Sequence, residues 1–244
     1  MAVRSFGSGL LFATNNVAGS TPIQFGTLQD VQLDVSRTLK ELYGQNQFAL
    51  AIAAAQMKIT GKAKVGQVNG RLYNDLFFGG TTATGQTLMV YQEPGTIPAA
   101  TTYTVTVANA ASWVADEGVL YAATGIPFAK VASAPTIGQY SVAAGVYTFA
   151  AADASAAVLT SYTYTSASSG KTITAGNPLQ GVQPTFSIVL TRQYNGLQEN
   201  TTLYQCIASK LSLPTKMADW GITEIDFSAF ANAAGQVISV SMGE

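Results

Sequence analysis

Histidine is absent from this 244-residue chain, and cysteine occurs once, as Cys206. Without an imidazole there is no Ser–His–Asp or Cys–His nucleophilic pair, no histidine metal ligand, and no use of the commonest general base. One thiol cannot form an internal disulfide or a cysteine-rich metal site. Its setting in the apolar run LYQCIASKL predicts a buried, inert group. Charge is scarce too. Asp, Glu, Lys and Arg make up 10% of the residues, with 12 cations against 13 anions and a formal net charge of −1. Tight nucleic-acid binders gain affinity by neutralising phosphates, and this balance leaves no surplus of cations for that purpose. Long hydrophobic runs are also missing. The longest, FALAIAAA at 48–55, falls far short of the ~20 residues that span a bilayer. The opening MAVRSFGSGLLFATNN, with one Arg and apolar residues broken by Gly and Ser, lacks the pattern of a secretory leader. The expectation is a protein made inside a cell, with no membrane segment.

Ala, Gly, Ser, Thr and Gln take the place of the missing charge, while hydrophobic residues stand at an ordinary 48%. The length suits one large domain, or a domain carrying an insertion. Soluble monomers usually rely on mixed surface charge, so an exterior this neutral predicts a surface largely covered by neighbouring subunits.

Residues 1–22, with SFGSG and TNNVAGSTP, carry turn chemistry and predict an irregular arm. Strict alternation follows. In LQDVQLDVS, Val31, Leu33 and Val35 point one way, while Asp30, Gln32, Asp34 and Ser36 point the other, as in a half-buried strand. FALAIAAAQMKI, with Phe48, Leu50 and Ile52 on one parity, is expected to be extended as well, though its alanines also suit a helix. KITGKAKVGQV then sets Lys58, Thr60, Lys62 and Lys64 on one face and Ile59, Gly61, Ala63 and Val65 on the other. Here the period changes. Asn69 is a good N-cap, Leu72, Tyr73, Leu76 and Phe77 recur at helical spacing, and Gly79–Gly80 supply the stop. The prediction is a short amphipathic helix that packs these four residues on a sheet and leaves Arg71, Asn74 and Asp75 outward. Residues 81–178 shift in texture, with Thr, Ala, Ser, Gly and Pro dominant and Lys130 and Lys171 as the only cations. Short alternating runs such as TYTVTV, GQYSV and GVYTFA, parted by turn residues, predict a β-rich insertion or second β domain. The style of the first part returns in PTFSIVLTRQY, TLYQCIASKLSL, ITEIDFSAF and QVISVSM, all read as strands.

No residue is expected to be catalytic, cofactor-binding or metal-ligating. SGKT at 169–172 mimics the end of a phosphate loop, but Thr165 stands where the first glycine belongs. Asp30 and Asp34 lie too far apart along a strand to share a proton or a metal. Asp116 and Glu117 point to opposite faces if extended. Asp219, Glu224 and Asp226 could meet only through folding. Each of these is read as a solvated or capping carboxylate. NTT at 200–202 matches a glycosylation acceptor only as a three-residue pattern.

Two stretches together resemble the tail tube (major tail) proteins of long-tailed bacteriophages. They are FGTLQDVQLDVSRTLKELYGQNQFALAIA and KITGKAKVGQVNGRLYNDLFFG, with KELYGQ, ITGKAK and NGRLYNDLFFG the most recognisable parts, and IDFSAFANAAGQVISVS shares the family's style of closing strands. The resemblance implies a mainly β fold, sandwich-like or barrel-like, with one short packed α-helix. The tube domain would comprise 23–80 and 179–244, interrupted by the β-rich insertion 81–178. It further implies six-subunit rings that self-assemble and stack into a hollow tube, with loops and the N-terminal arm bridging rings. The tube would be made in the host bacterial cytoplasm and reside in the virion tail, with tail-tip initiator and terminator proteins at its ends. Genome DNA would pass through the lumen without specific binding. The tube proteins of contractile secretion systems are close structural relatives of this family.

On this reading the candidate subunit-interface or lumen charges are Asp30, Asp34, Lys58, Lys62, Lys64 and Arg71. The lysine face is expected to meet carboxylates, such as the Asp30 and Asp34 face of another strand, within or between subunits, and so to fix register. A plain solvated strand face is the other reading of the same residues, and a DNA-gripping stripe ranks below both. An acidic lumen wall of Asp30, Gln32 and Asp34 would compete with the lysine pairing for the same aspartates. From a different class, the Tyr and Thr residues between 101 and 165 suggest a sugar-contact surface. That would make the chain a carbohydrate- or cell-binding β module of a virion or surface protein.

Overall fold

The computed structural model describes residues 6–67 and 69–243. The first five residues of the expected arm therefore lie outside the described residues. In chain order the strands are β1 (Leu10–Asn15), β2 (Ile23–Gln24), β3 (Leu28–Tyr43), β4 (Ala49–Val65), β5 (Thr81–Thr96), β6 (Thr104–Thr106), β7 (Trp113–Tyr121), β8 (Ala129–Lys130), β9 (Gln139–Ala143), β10 (Val146–Phe149), β11 (Ala157–Thr174), β12 (Phe186–Tyr194), β13 (Leu197–Ser212), β14 (Thr223–Ala229) and β15 (Ile238–Met242). Between β4 and β5 lies the helix α1 (Gly70–Tyr73), continued by one π-helical turn, Asn74–Phe78. The protein is mainly β, as expected, with the one short helix packed on it.

The chain divides into two compact units, Met1–Thr81 with Ile173–Glu244, and Thr82–Thr172. The second begins one residue after the expected start of the insertion. It ends six residues before the expected end, so 173–178 belong to the first unit.

In the first unit one eight-stranded sheet runs β2-β1-β12-β13-β14-β4-β3, with β15 also paired to β13. The β3–β4, β4–β14, β14–β13, β13–β12 and β12–β1 pairs are all antiparallel. β13 holds β15 along Glu199–Leu203 and β14 along Cys206–Ser212, with a bulge between Ala208 and Lys210. Bulges bend a strand and sharpen its twist. Side chains from both halves of the sheet meet in one core: Leu11 and Ala13 of β1, Ile188 of β12, Leu203 of β13, Phe227 of β14, Ala63 of β4, and Leu72 and Leu76 of the helical segment. Cys206 lies in this core, fully buried, and burial pushes its thiol up to about 12.

The expectation of an irregular N-terminal arm is corrected here. Leu10–Asn15 is a strand paired along its whole length with Thr191–Phe186 of β12. The turn-forming residues on either side hid a short alternation in which Leu11 and Ala13 face inward and are wholly buried.

The second unit has two sheets, one ordered β6-β10-β9-β8 and the other β5-β11-β7. Its separate core is aromatic, with Phe128, Tyr140, Tyr147, Phe149 and Tyr162 beside Ile97, Val107, Val119 and Val158.

Candidate assembly surface

The alternation of β3 and β4 turns Val31, Leu33, Ile59, Ala63 and Val65 toward the core of the first unit. Gly61 belongs to the same row because the ring of Phe227 occupies the space where a Cβ would stand. The opposite face is the charged one. There Lys64 pairs with Asp30 at 3.7 Å, so that expected partner is found, within the same chain. Lys62 instead pairs with Glu224 on the neighbouring β14 at 2.7 Å, and Glu224 also receives Lys210 of β13 at 3.0 Å. The hydrogen bond from Lys62, followed by that from Lys210, holds the Glu224 carboxyl below its ordinary range. The same contact raises the Lys62 ammonium. Asp34 accepts from the Gln32 amide at 3.1 Å and meets no lysine among the described residues. Lys58 makes no ion pair among the described residues, and lines with Asp34 and Asp226 a shallow hollow of about 350 Å³.

The helical segment bears out its predicted ends. The Asn69 side chain accepts from the Arg71 amide at 3.0 Å, and Gly79 closes the segment in the left-handed conformation. Leu72, Tyr73 and Leu76 are buried. Phe77 is corrected: it is only half-buried and meets Phe78 edge-on. Position 77 lies in the closing π turn, where the Gly79 amide bonds the Asn74 carbonyl at 2.7 Å and the segment runs out of the core into the exposed Phe78 and Gly79. One outward expectation also changes, while Arg71 is exposed as expected. Asn74 is buried. Arg71 is engaged within its own chain, donating to the Thr21 carbonyl at 2.9 Å and pairing with Asp75 at 3.3 Å.

Beyond Asp34 the β3–β4 hairpin leaves the core. From residue 34 to residue 58 every side chain is exposed except that of Ala49, which is half-buried, yet the ladder continues to Tyr43↔Ala49. Leu39 lies opposite Ala54 and Leu42 opposite Ala51, so these two leucines stand on opposite faces. Phe48, Leu50, Ile52 and Met57 are bare as well. Among the described residues β3 pairs with β4 alone, which leaves its other edge open over 16 residues.

In the second unit the six tyrosines between 101 and 165 pack into or against the core. Four of their hydroxyls are tied to acids. Tyr140 and Tyr147 donate to Asp116 at 2.6 and 3.0 Å. Tyr121 donates to Asp153, and Tyr162 to Glu93, each at 2.6 Å. Asp116, read from the sequence as solvated or capping, has a side chain only 2% exposed and also receives Lys130 at 3.0 Å. Burial pushes its carboxyl up, but the bonds from Tyr140, Lys130, the Gly118 amide and Tyr147 outweigh burial and hold it below the ordinary aspartate value.

The remaining acids stay apart. Asp219 pairs with Lys216, and no group of three His, Cys, Asp or Glu comes together as a metal site among the described residues. The SGKT run is part of β11 and has strand geometry, not that of a phosphate loop leading into a helix. No helix among the described residues is long and apolar enough to cross a membrane. Comparison with protein-family models and with curated proteins gives no match.

Proposed function

We propose that this chain is the structural subunit of a bacteriophage tail tube. Copies self-assemble into stacked six-subunit rings around a lumen that conducts the genome. The subunit is made in the host bacterial cytoplasm and resides in the virion tail, and its further partners are the tail-tip initiator and the terminator. The observation that carries this reading is the outer half of the β3–β4 hairpin. A two-stranded ribbon with large apolar side chains on both faces is not stable alone in water, and an open strand edge invites pairing with another chain. A second copy supplies the cover. Nothing in the hairpin points to a small ligand.

The charge distribution supports the same reading. Lys62, Lys64 and Lys210 are matched by Glu224 and Asp30 within one chain. A face on which three of the four lysines already meet a carboxylate has little to offer a polyanion, as a conduit for sliding DNA requires. Expression of the chain alone, followed by negative-stain electron microscopy, is the test. Hollow rings or tubes are the expected result. Discrete monomers that bind glycans would overturn it in favour of a carbohydrate-binding module.

A further inference from the structure

The loop that joins β13 to β14 carries a bare aromatic. Trp220 is 82% exposed, and the loop is built to keep it there. Asp219 accepts from Lys216 Nζ and from the Trp220 amide, each at 2.7 Å. A Cβ on Gly221 would collide with the Pro214 carbonyl, so the chain closes tightly at this point. Lys216 and Asp219 satisfy each other and leave the indole as the free group of the loop. An indole already fixed in water loses little further freedom when a partner covers it, which suits an interface anchor.

Elsewhere on the first unit, where β1 ends and β12 begins, lies a hollow of about 360 Å³. Its walls include Val17, Phe78, Pro178, Val182 and Pro184, and none of its lining residues is charged. Val17, Phe78 and Val182 stand open to water. The walls are held in place. The Asn16 amide donates to the Thr185 carbonyl at 2.9 Å, and the Val182 amide to the Leu179 carbonyl at 3.1 Å. Asn16 and Gln183 also line the hollow, and their side-chain oxygens can accept an indole N–H. Apolar walls, more than the lack of charge, set this hollow apart. The hollow at Gln24, Gly26, Gln67, Asn69 and Gly70 is uncharged too but offers no large apolar side chain. The one at Lys58 would require Asp34, Lys62 and Asp226 to be desolvated with it.

A chain's own indole does not fill its own hollow. Trp220 lies beside Gln67, and Gln67 lies beside Gly70 at the start of the helical segment. Phe78, at the other end of that segment, lines the apolar hollow. The nine residues Gly70 to Phe78, at ~1.5 Å each, put about 13 Å between the two places. Building on the tube reading above, we propose that Trp220 of one copy seats in the Phe78–Val182 hollow of the next. Anchor and socket are different patches of one surface. The contact is therefore heterologous and passes from copy to copy until it closes into a ring or runs on as a filament.

The test uses two variants of the full chain, Trp220→Ala without the anchor and Val182→Glu without the apolar socket. Both sites are exposed, so both variants are expected to keep the wild-type melting temperature. Each alone should lose roughly tenfold or more of the assembled material seen by light scattering at the wild-type assembly concentration. An equal mixture should recover dimers, because the socket of one variant and the anchor of the other are intact. Val17→Glu, on another wall of the same hollow, repeats the test should Val182→Glu fail to fold. Variants that assemble like the wild type, or a mixture that yields no dimers, would overturn the contact and leave the tube reading in place. A wild-type chain that never grows beyond a dimer at any concentration would overturn both.

Discussion

The hydroxyl of Tyr140 on β9 donates to the carboxylate of Asp116 on β7 at 2.6 Å, which joins the two sheets of the insertion through a single acid. Tyr147 and Lys130 converge on the same carboxylate. Removing that acceptor leaves two buried tyrosine hydroxyls without a partner and also takes it from Lys130 and the Gly118 amide. Asp116→Ala is expected to destabilise the second unit by about 2–4 kcal/mol, read from denaturant unfolding followed by tyrosine near-ultraviolet dichroism. Asp116→Asn keeps one acceptor oxygen and is expected to cost less.

The same cluster sets a pH window for the insertion. Asp116 has a lowered pKa when folded, so its contribution is complete above the unfolded value of about 4. It is lost as pH falls through the lowered value. Tyr140 and Tyr147 are shifted upward, with burial the largest cause and Asp116 contributing. Burial and Asp153 push Tyr121 up to about 12. Their contribution is complete below about pH 10 and is lost as pH rises through the raised values. Phenolate absorbance should therefore show these tyrosines ionising late, together with loss of the near-ultraviolet signal. Ionisation near pH 10 in the folded protein would contradict the geometry.

Gly61 has no room for a methyl group. A Cβ there would overlap the Phe227 ring and come within 2.9 Å of Leu33 Cδ2. Gly61→Ala is expected to destabilise the first unit by about 1–3 kcal/mol through overpacking. Thr60→Ala, on the outer face one residue away, should leave the melting temperature nearly unchanged.

The Lys62–Glu224–Lys210 cluster is solvent-facing, and its effect should depend on salt. Glu224→Gln is expected to lower the melting temperature slightly at low ionic strength. At roughly 1 M salt, where charges are screened within about 3 Å, the difference should vanish. A difference that persists there would mean that Glu224 acts through packing.

On the hairpin, Leu50→Lys with Ile52→Lys should change the stability of the isolated chain by no more than about 0.5 kcal/mol, since both sites are already in water. Light scattering should show assembly abolished. Assembly at wild-type concentrations would remove the hairpin from the interface.

How much of this is legible depends on how local each signal is. The pattern Asp30–Val35 reads as a strand because one face is buried, and Asn69 and Gly79 mark helix ends by their own chemistry. Phe77 departs from its expected place because an i, i+4 pattern does not show where the segment runs out of the core, here at the exposed Phe78 and Gly79. Glu224 cannot be named from the sequence as the partner of Lys62, since the two lie in distant stretches of the chain and meet only through the pairing of β4 with β14. Alternation marks Tyr140 and Tyr147 as lying on one face of each strand without saying which face is inside. Three of the four acids of the insertion, Glu93, Asp116 and Asp153, are the available clue, because buried hydroxyls need acceptors. The bare outer hairpin is legible as strand but not as bare, for Leu and Ile usually signal a core.

The chain enters the insertion along β5 and returns along β11, neighbouring strands in one sheet, with Thr172 Oγ1 donating to the Gly85 carbonyl at 2.9 Å. Entrance and exit are thus side by side, and a tight turn could join them with the sheet of the first unit uncut. Such a junction behaves as a socket. A lineage could acquire or discard the whole module in one recombination event, and a protein engineer could splice a foreign domain into the same place and display it once per chain.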